Sequence, residues 1–172
     1  MRLIFVTILL LFFTKTIQGQ YDRGTIDFGL GAVISVGLQE EIGFDARLQF
    51  TTLTEKYRYL VAYNRYFISE TQNREVLNEL EADFMIQVVT YEGLKLDAGI
   101  GYVVNDYRLL KNARDTSNLF INSGRYNHGL QLKMRGAYQL FLPVDVFLEL
   151  NLKSFGRRYD TIVFGLTYSI GI

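Results

Sequence analysis

The 172-residue chain contains no cysteine and no tryptophan, and only one proline and one histidine. Without cysteine there can be no disulfide scaffold, thiolate zinc site or cysteine nucleophile, and no lipid-bearing cysteine of a bacterial lipoprotein. Neither sign of charge is in surplus: 18 basic residues stand against 18 acidic ones. That leaves no basic excess to hold a phosphate backbone, which removes nucleic acid as the expected partner. One proline beside 15 glycines is not the composition of a disordered chain. Long apolar runs are also scarce. Leu3 to Phe13, broken by Thr7 alone, is shorter than the roughly 20 residues of a spanning helix. The run follows Arg2 and precedes Thr14, Lys15 and Thr16, so residues 1–19 have the layout of an export signal peptide, with Gly19 suited to cleavage before Gln20. Residues 20–172 are then expected to form one domain.

What the chain does have is alternation. Ile26, Phe28, Leu30, Ala32, Ile34 and Val36 interleave with Asp27, Gly29, Gly31, Val33 and Ser35. The same period of two returns over Ile42 to Thr51, Tyr57 to Phe67, Glu79 to Val88, Leu94 to Tyr102, Leu130 to Leu140, Val146 to Lys153 and Ile162 to Ile172. Successive side chains of a strand point to opposite faces, so each segment presents one face to an apolar medium. The connections then sort into two kinds. Thr54 to Lys56, Tyr91 to Gly93 and Phe141 to Asp145 are tight, whereas Ile68 to Asn78 and Asn105 to Asn127 are long, with Leu38 to Glu41 and Ser154 to Asp160 intermediate. Tight turns on one side and long loops on the other predict an all-β fold: an eight-stranded antiparallel up-and-down transmembrane β-barrel with both termini on the tight-turn side.

In such a barrel the second face lines the lumen. It carries Asp27, Asp45, Glu79, Glu81, Asp83, Asp97 and Glu149 against Arg47, Arg58, Lys95, Lys133, Arg135 and Lys153. Gly29, Gly31 and Ser35 on the first strand, beside Gly165, Thr167, Ser169 and Gly171 on the last, leave room for long charged side chains from the opposite wall. Eight strands enclose a space that side chains fill, so a paired, hydrogen-bonded plug is expected. The same residues also admit a narrow ion or solute path. Alternation alone equally admits the reverse assignment, a secreted lipocalin-like calyx with an apolar ligand inside; the loop asymmetry and export signal favour the membrane.

Eight alternating segments, alternating turns and loops, and a last strand reading Phe164, Leu166, Tyr168, Ile170, Ile172 together resemble the small porin-like and adhesion-type outer-membrane β-barrels of Gram-negative bacteria. The chain departs from them in ending on Ile172, where an aromatic is usual, and in having Tyr and Phe but no Trp for the aromatic girdles. The resemblance implies residence in the outer membrane and recognition of the last strand by the barrel-assembly machinery. Arg65, near the loop end of the third strand beside Tyr63, Tyr66 and Phe67, is expected to reach lipid phosphate. Arg108, Lys111, Arg114 and Arg125 in the long loop, with Arg157 and Arg158 in the last, are either solvated charges or contacts to lipopolysaccharide or an extracellular protein partner. Leu119, Phe120 and Ile121 add an apolar docking element to the long loop.

No enzyme is expected. The single His128 lies five residues after Ser123 and one strand before Glu149, but no nucleophile-elbow motif joins them. Glu79, Glu81 and Asp83 share a face because of the two-residue period and do not require a metal. The expected cofactor complement is none.

Overall fold

A computed structural model of the chain describes residues 24–36, 41–67, 77–106, 120–123, 126–155 and 159–171. The segment read as a signal peptide lies outside them, as do Arg108, Lys111, Arg114, Arg125, Arg157 and Arg158. The strands in chain order are β1 (Thr25–Ser35), β2 (Ile42–Thr51), β3 (Tyr57–Phe67), β4 (Leu77–Tyr91), β5 (Leu94–Asn105), β6 (Phe120–Ser123), β7 (Tyr126–Phe141), β8 (Val144–Lys153) and β9 (Thr161–Gly171).

Each long strand pairs antiparallel with its neighbours, and two pairings close the ring: β1 with β9, and β5 with β7. The wall is therefore an eight-stranded barrel. The short β6 is not a stave of it. It folds back on Tyr126 to Gly129 of β7, above the level where β8 begins to pair at Gln131. Alternation alone marks β7 only from Leu130, but the ladder starts earlier because Asn105 and Asn127 pair across β5 and β7. That stretch is polar on the inner side and carries His128 on the outer, so the hydrophobic pattern is silent there while the backbone bonds continue.

The turns agree with local chemistry. Glu92 and Gly93 both take positive φ, 44° and 85°, as a two-residue hairpin requires, and glycine carries the larger value without strain. Bulges follow Gln87 in β4 and Gln139 in β7, close to the tight turns. Around the outside, even-numbered residues of β1, β2, β4 up to its bulge, β5, β7, β8 and β9 and odd-numbered residues of β3 form a mainly apolar wall. Phe28, Leu30, Leu48, Val61, Leu80, Ile100, Leu132, Leu148 and Phe164 are all exposed on it.

Aromatics gather near both ends of that wall. Phe50, Tyr59, Phe84 and Tyr57 stack in a row near the turns, with centroids 5.4–6.4 Å apart. Phe44, Tyr63, Phe67 and Tyr102 stand near the loops. Tyr and Phe thus supply the interfacial rings in a chain without Trp.

The inside is charged. Asp27, Asp45, Arg47, Arg58, Glu79, Glu81, Asp83, Asp97, Lys133, Arg135, Glu149 and Lys153 are all buried there. A calyx for an apolar ligand needs the opposite arrangement, and this interior is not one. Among the described residues, Leu60, Ala62, Met85, Ala137 and Phe147 are buried along the middle and turn-side half of the lumen, and a further apolar group closes the loop-side end. Val33, Tyr66, Val103, Phe155, Tyr159 and Val163 pack there with Leu77 against them.

Candidate functional site: the charged lumen and the loop-side rim

Arg47 of β2 reaches across the lumen to β8. Its Nε donates to Asp45 Oδ1 at 2.7 Å and its Nη1 to Glu149 Oε2 at 2.7 Å. Lys133 of β7 places its ammonium among three carboxylates, at 2.8 Å from Glu81 Oε2, 2.7 Å from Asp83 Oδ2 and 3.1 Å from Glu149 Oε1. Lys153 pairs with Glu79 and lies 3.3 Å from Glu81 Oε1. All of these side chains are fully inaccessible to solvent. Neutral donors complete the shell: Asn64 Nδ2 donates to Glu81 Oε1 at 2.9 Å, Tyr66 Oη to Glu79 Oε1 at 3.2 Å, and Gln131 Nε2 to Asp83 Oδ1 at 2.6 Å. The result is one connected network spanning β2, β3, β4, β7 and β8.

The glycines of the lumen face make room for it. A Cβ on Gly29 would stand 2.8 Å from Cδ of Arg47, and one on Gly165 would stand 2.8 Å from the tip of the Phe147 ring. The small residues of β1 and β9 therefore accommodate one arginine and one aromatic. Phe147 lies under both guanidinium groups of the centre, with Arg47 at 4.1 Å and Arg135 at 4.7 Å from its centroid.

Nearer the turns the packing loosens. Arg58 pairs with Asp97 and also donates to Gln87. Lys95 sits 3.5 Å from Asp145, with 27% and 13% of their side chains exposed, so Lys95 is half-buried at a mouth. Asp145, expected in a turn, belongs to the lumen. The described lumen thus holds eight acids and six bases.

No protein-family model matches the chain, and no curated protein sequence does. Solved structures do. The N-terminal β-barrel domain of Pseudomonas aeruginosa OprF superposes with a TM-score of 0.56 at 13% identity, covering 89% of this chain and all of that one. Neisserial surface protein A superposes with a TM-score of 0.53 at 15% identity, covering 90% of this chain and all of that one. The fold is that of the small eight-stranded outer-membrane β-barrels. In that fold the tight turns are periplasmic and the loops extracellular.

On this frame Arg65 lies on the outer face at the loop-side end of β3, exposed, with Phe44 and Asn78 as its cross-strand neighbours. Tyr63 and Phe67 flank it on the same face. Tyr66 does not: it points inward, 1% exposed, and belongs to the network through Glu79. Its odd–even parity, opposite to that of Arg65, carried that information. Beside Arg65, Tyr63 Oη donates to Asn78 Oδ1 at 2.7 Å, and Asn78 Nδ2 donates to Asp106 Oδ2 at 2.8 Å, which forms a polar band across β3, β4 and β5.

His128 also faces outward, its Nδ1 2.7 Å from Tyr102 Oη. Glu149 lies in the sealed lumen on the other side of the wall, so the barrel does not bring those two together as base and orienting acid. Among the described residues, no group of three or more carboxylates or histidines is arranged to hold a metal ion.

The residues missed by sequence reasoning are the apolar ones inside. Val33 falls in a polar register, and Phe155 and Tyr159 fall in a connecting segment. Their signal was an apolar residue at a lumen position close to a strand end.

Proposed function

We propose that this protein is exported by residues 1–19 and embedded in the bacterial outer membrane, where a closed barrel displays the extracellular loops for structural or interaction roles. It carries out no enzymatic chemistry and requires no cofactor. The single observation that carries this reading is the inversion of polarity: a charged, ion-paired interior inside an apolar wall. Such a wall is stable only where lipid covers it, since an exposed apolar surface of this extent is otherwise an aggregation hazard. The apolar cluster at the loop-side end supports a closed plug over an ion path, because ions crossing there would shed water against Val33, Val103 and Val163.

The partners follow from position. Arg65, at the loop-side end of the outer face, suits the phosphates of lipopolysaccharide. Arg108, Lys111, Arg114, Arg125, Arg157 and Arg158 would extend that contact or meet an extracellular protein partner. The apolar face of β9, with Ile162, Phe164 and Leu166, suits recognition by the barrel-assembly machinery.

Fractionation of native cells tests the reading. Sarkosyl should leave the protein in the outer-membrane fraction, its gel migration should change on boiling, and protease added to intact cells should cut between residues 105 and 127. Recovery as a soluble periplasmic or secreted protein would refute it.

A further inference from the structure

At the turn-side end the lumen opens into a cavity of about 50 Å³ whose charged lining is Asp27, Glu55, Asp97 and Asp145 with Arg58, Lys95 and Arg135. A single water occupies about 10–15 Å³ on this measure, so the cavity has room for about four water-sized groups. Two of the lining residues are anomalous. Arg135 and Asp27 are 4% and 6% exposed, yet among the described residues neither has an opposite charge within 4.0 Å. The amide of Gln49 stands between them instead. Its Nε2 donates to Asp27 Oδ2 at 2.7 Å, and its Oε1 accepts from Arg135 Nη1. One amide thus holds a buried cation and a buried anion side by side and keeps them from neutralising each other.

Each charge is left with an unused bond. Arg135 Nε has no acceptor and Asp27 Oδ1 has no donor, although both atoms are buried. Elsewhere in the lumen the charges are paired directly, as at Arg47 with Asp45 and Glu149. A buried guanidinium nitrogen and a buried carboxylate oxygen without partners each carry a desolvation cost, which the ladder neighbours of Arg135, Asp97 and Glu149, do not relieve by direct pairing, so this geometry is poised for a ligand that brings both signs. The Phe147 ring holds the Arg135 guanidinium in place at 4.7 Å, and the loose, part-exposed Lys95–Asp145 pair stands at the entrance with one charge of each sign.

We propose that this turn-side cavity is a binding site for a small zwitterion, an ammonium and a carboxylate carried on one carbon, as in a free α-amino acid. The carboxylate meets Arg135 and Lys95; the ammonium meets Asp27 and Asp145. The size fits, since the ammonium, the α-carbon and the carboxylate are only a few heavy atoms. A larger side chain would have to extend out through the mouth. This site lies inside the barrel and does not depend on the loops or on which compartment the mouth faces.

The test uses the full protein purified from membranes in detergent micelles with ¹⁵N label. The Arg135 Nε–H resonance is assigned by its loss in Arg135→Lys, and glycine, acetate and methylammonium are titrated separately at constant ionic strength. Glycine should shift that resonance saturably. Acetate and methylammonium, each bearing half of the charge pattern, should bind about tenfold more weakly or worse, the size of effect expected when a charged hydrogen bond is lost. Asp27→Asn should weaken glycine by a similar factor while leaving the acetate response unchanged. A response to glycine that fails to saturate, or one matched by acetate, overturns the proposal and leaves the cavity holding water only. The comparison of the three solutes on the unmodified protein decides the matter even if Asp27→Asn does not fold.

Discussion

The two ends of the lumen are built from the same residue types at the same spacing, yet they differ in kind. Toward the loops, Arg47, Lys133 and Lys153 meet Asp45, Glu79, Glu81, Asp83 and Glu149 directly, with no solvent access, under an apolar cluster. Toward the turns, Arg58 still pairs with Asp97, but Arg135 and Asp27 meet through an amide, and Lys95 and Asp145 form a looser pair, 3.5 Å apart, at an open mouth. The difference shows that lumen charge by itself does not decide between plug and site. Pairing does: at the loop-side end Asp45, Glu79, Glu81, Asp83 and Glu149 each meet a cation directly, whereas at the turn-side end Asp27 and Arg135 meet only through Gln49.

That contrast makes the loop-side half the more fragile to loss of charge. Lys133→Ala removes the ammonium shared by Glu81, Asp83 and Glu149 and leaves three sealed carboxylates with reduced compensation. Breaking a buried pair this way typically destabilises by about 3–5 kcal/mol. With no Trp to report unfolding, the change is read from the urea midpoint of the gel-migration shift in detergent. An unchanged midpoint would mean that the loop-side network admits water and is not sealed.

The wall itself is the next comparison, inside against outside. Ile100 is 64% exposed at the middle of β5, while its neighbours Gly99 and Gly101 face the lumen. Ile100→Arg should destabilise the protein by about 2–4 kcal/mol in lipid, the penalty for arginine near the midplane of a barrel's outer face. Folding yield into lipid vesicles, measured against urea, checks it. A neutral result would place Ile100 outside the hydrocarbon.

A third change probes the seam between the two halves. Gly165 lets the Phe147 ring enter the centre, where a Cβ would be 2.8 Å from the ring tip and would also crowd the backbone of Leu30 and Gly31. Gly165→Val should therefore overpack the barrel by about 1–3 kcal/mol. Combining it with Phe147→Leu should recover part of that loss, which a purely backbone clash would not allow.

How much of this was legible in the residues depended on parity and on little else. Alternation assigned Asp45, Arg47 and Glu149 to the lumen and Phe28, Leu48 and Ile100 to the wall, because one residue's step flips a side chain through the sheet. It also held the information that Tyr66 faces inward, although its aromatic character drew it toward the lipid. Depth was not legible. Nothing in the spacing distinguishes Val33, which seals the loop-side end, from Gly31 two residues earlier, which makes room in the lumen. Nor could spacing show that Gln49 would stand between Asp27 and Arg135, since that needs the curvature that brings β7 across from β1 and β2. The β6 hairpin escaped for a different reason: its pairing lies beyond the barrel, where neither face has to be uniformly apolar.

The mildest change bears most directly on the comparison of the two ends. Lys95→Gln removes a cation as Lys133→Ala does, from the same face of the barrel and from a strand next to β7. Lys95 is 27% exposed and 3.5 Å from its carboxylate, so water and salt already weaken the pair. Its loss should shift stability by less than about 1 kcal/mol, within the range of exposed ion pairs. The same variant should bind glycine detectably more weakly, because a residue that adds little to the fold is free to serve a ligand. If Lys95→Gln instead destabilises the barrel as strongly as Lys133→Ala, the turn-side end is as closed as the loop-side end, and the contrast between plug and site disappears.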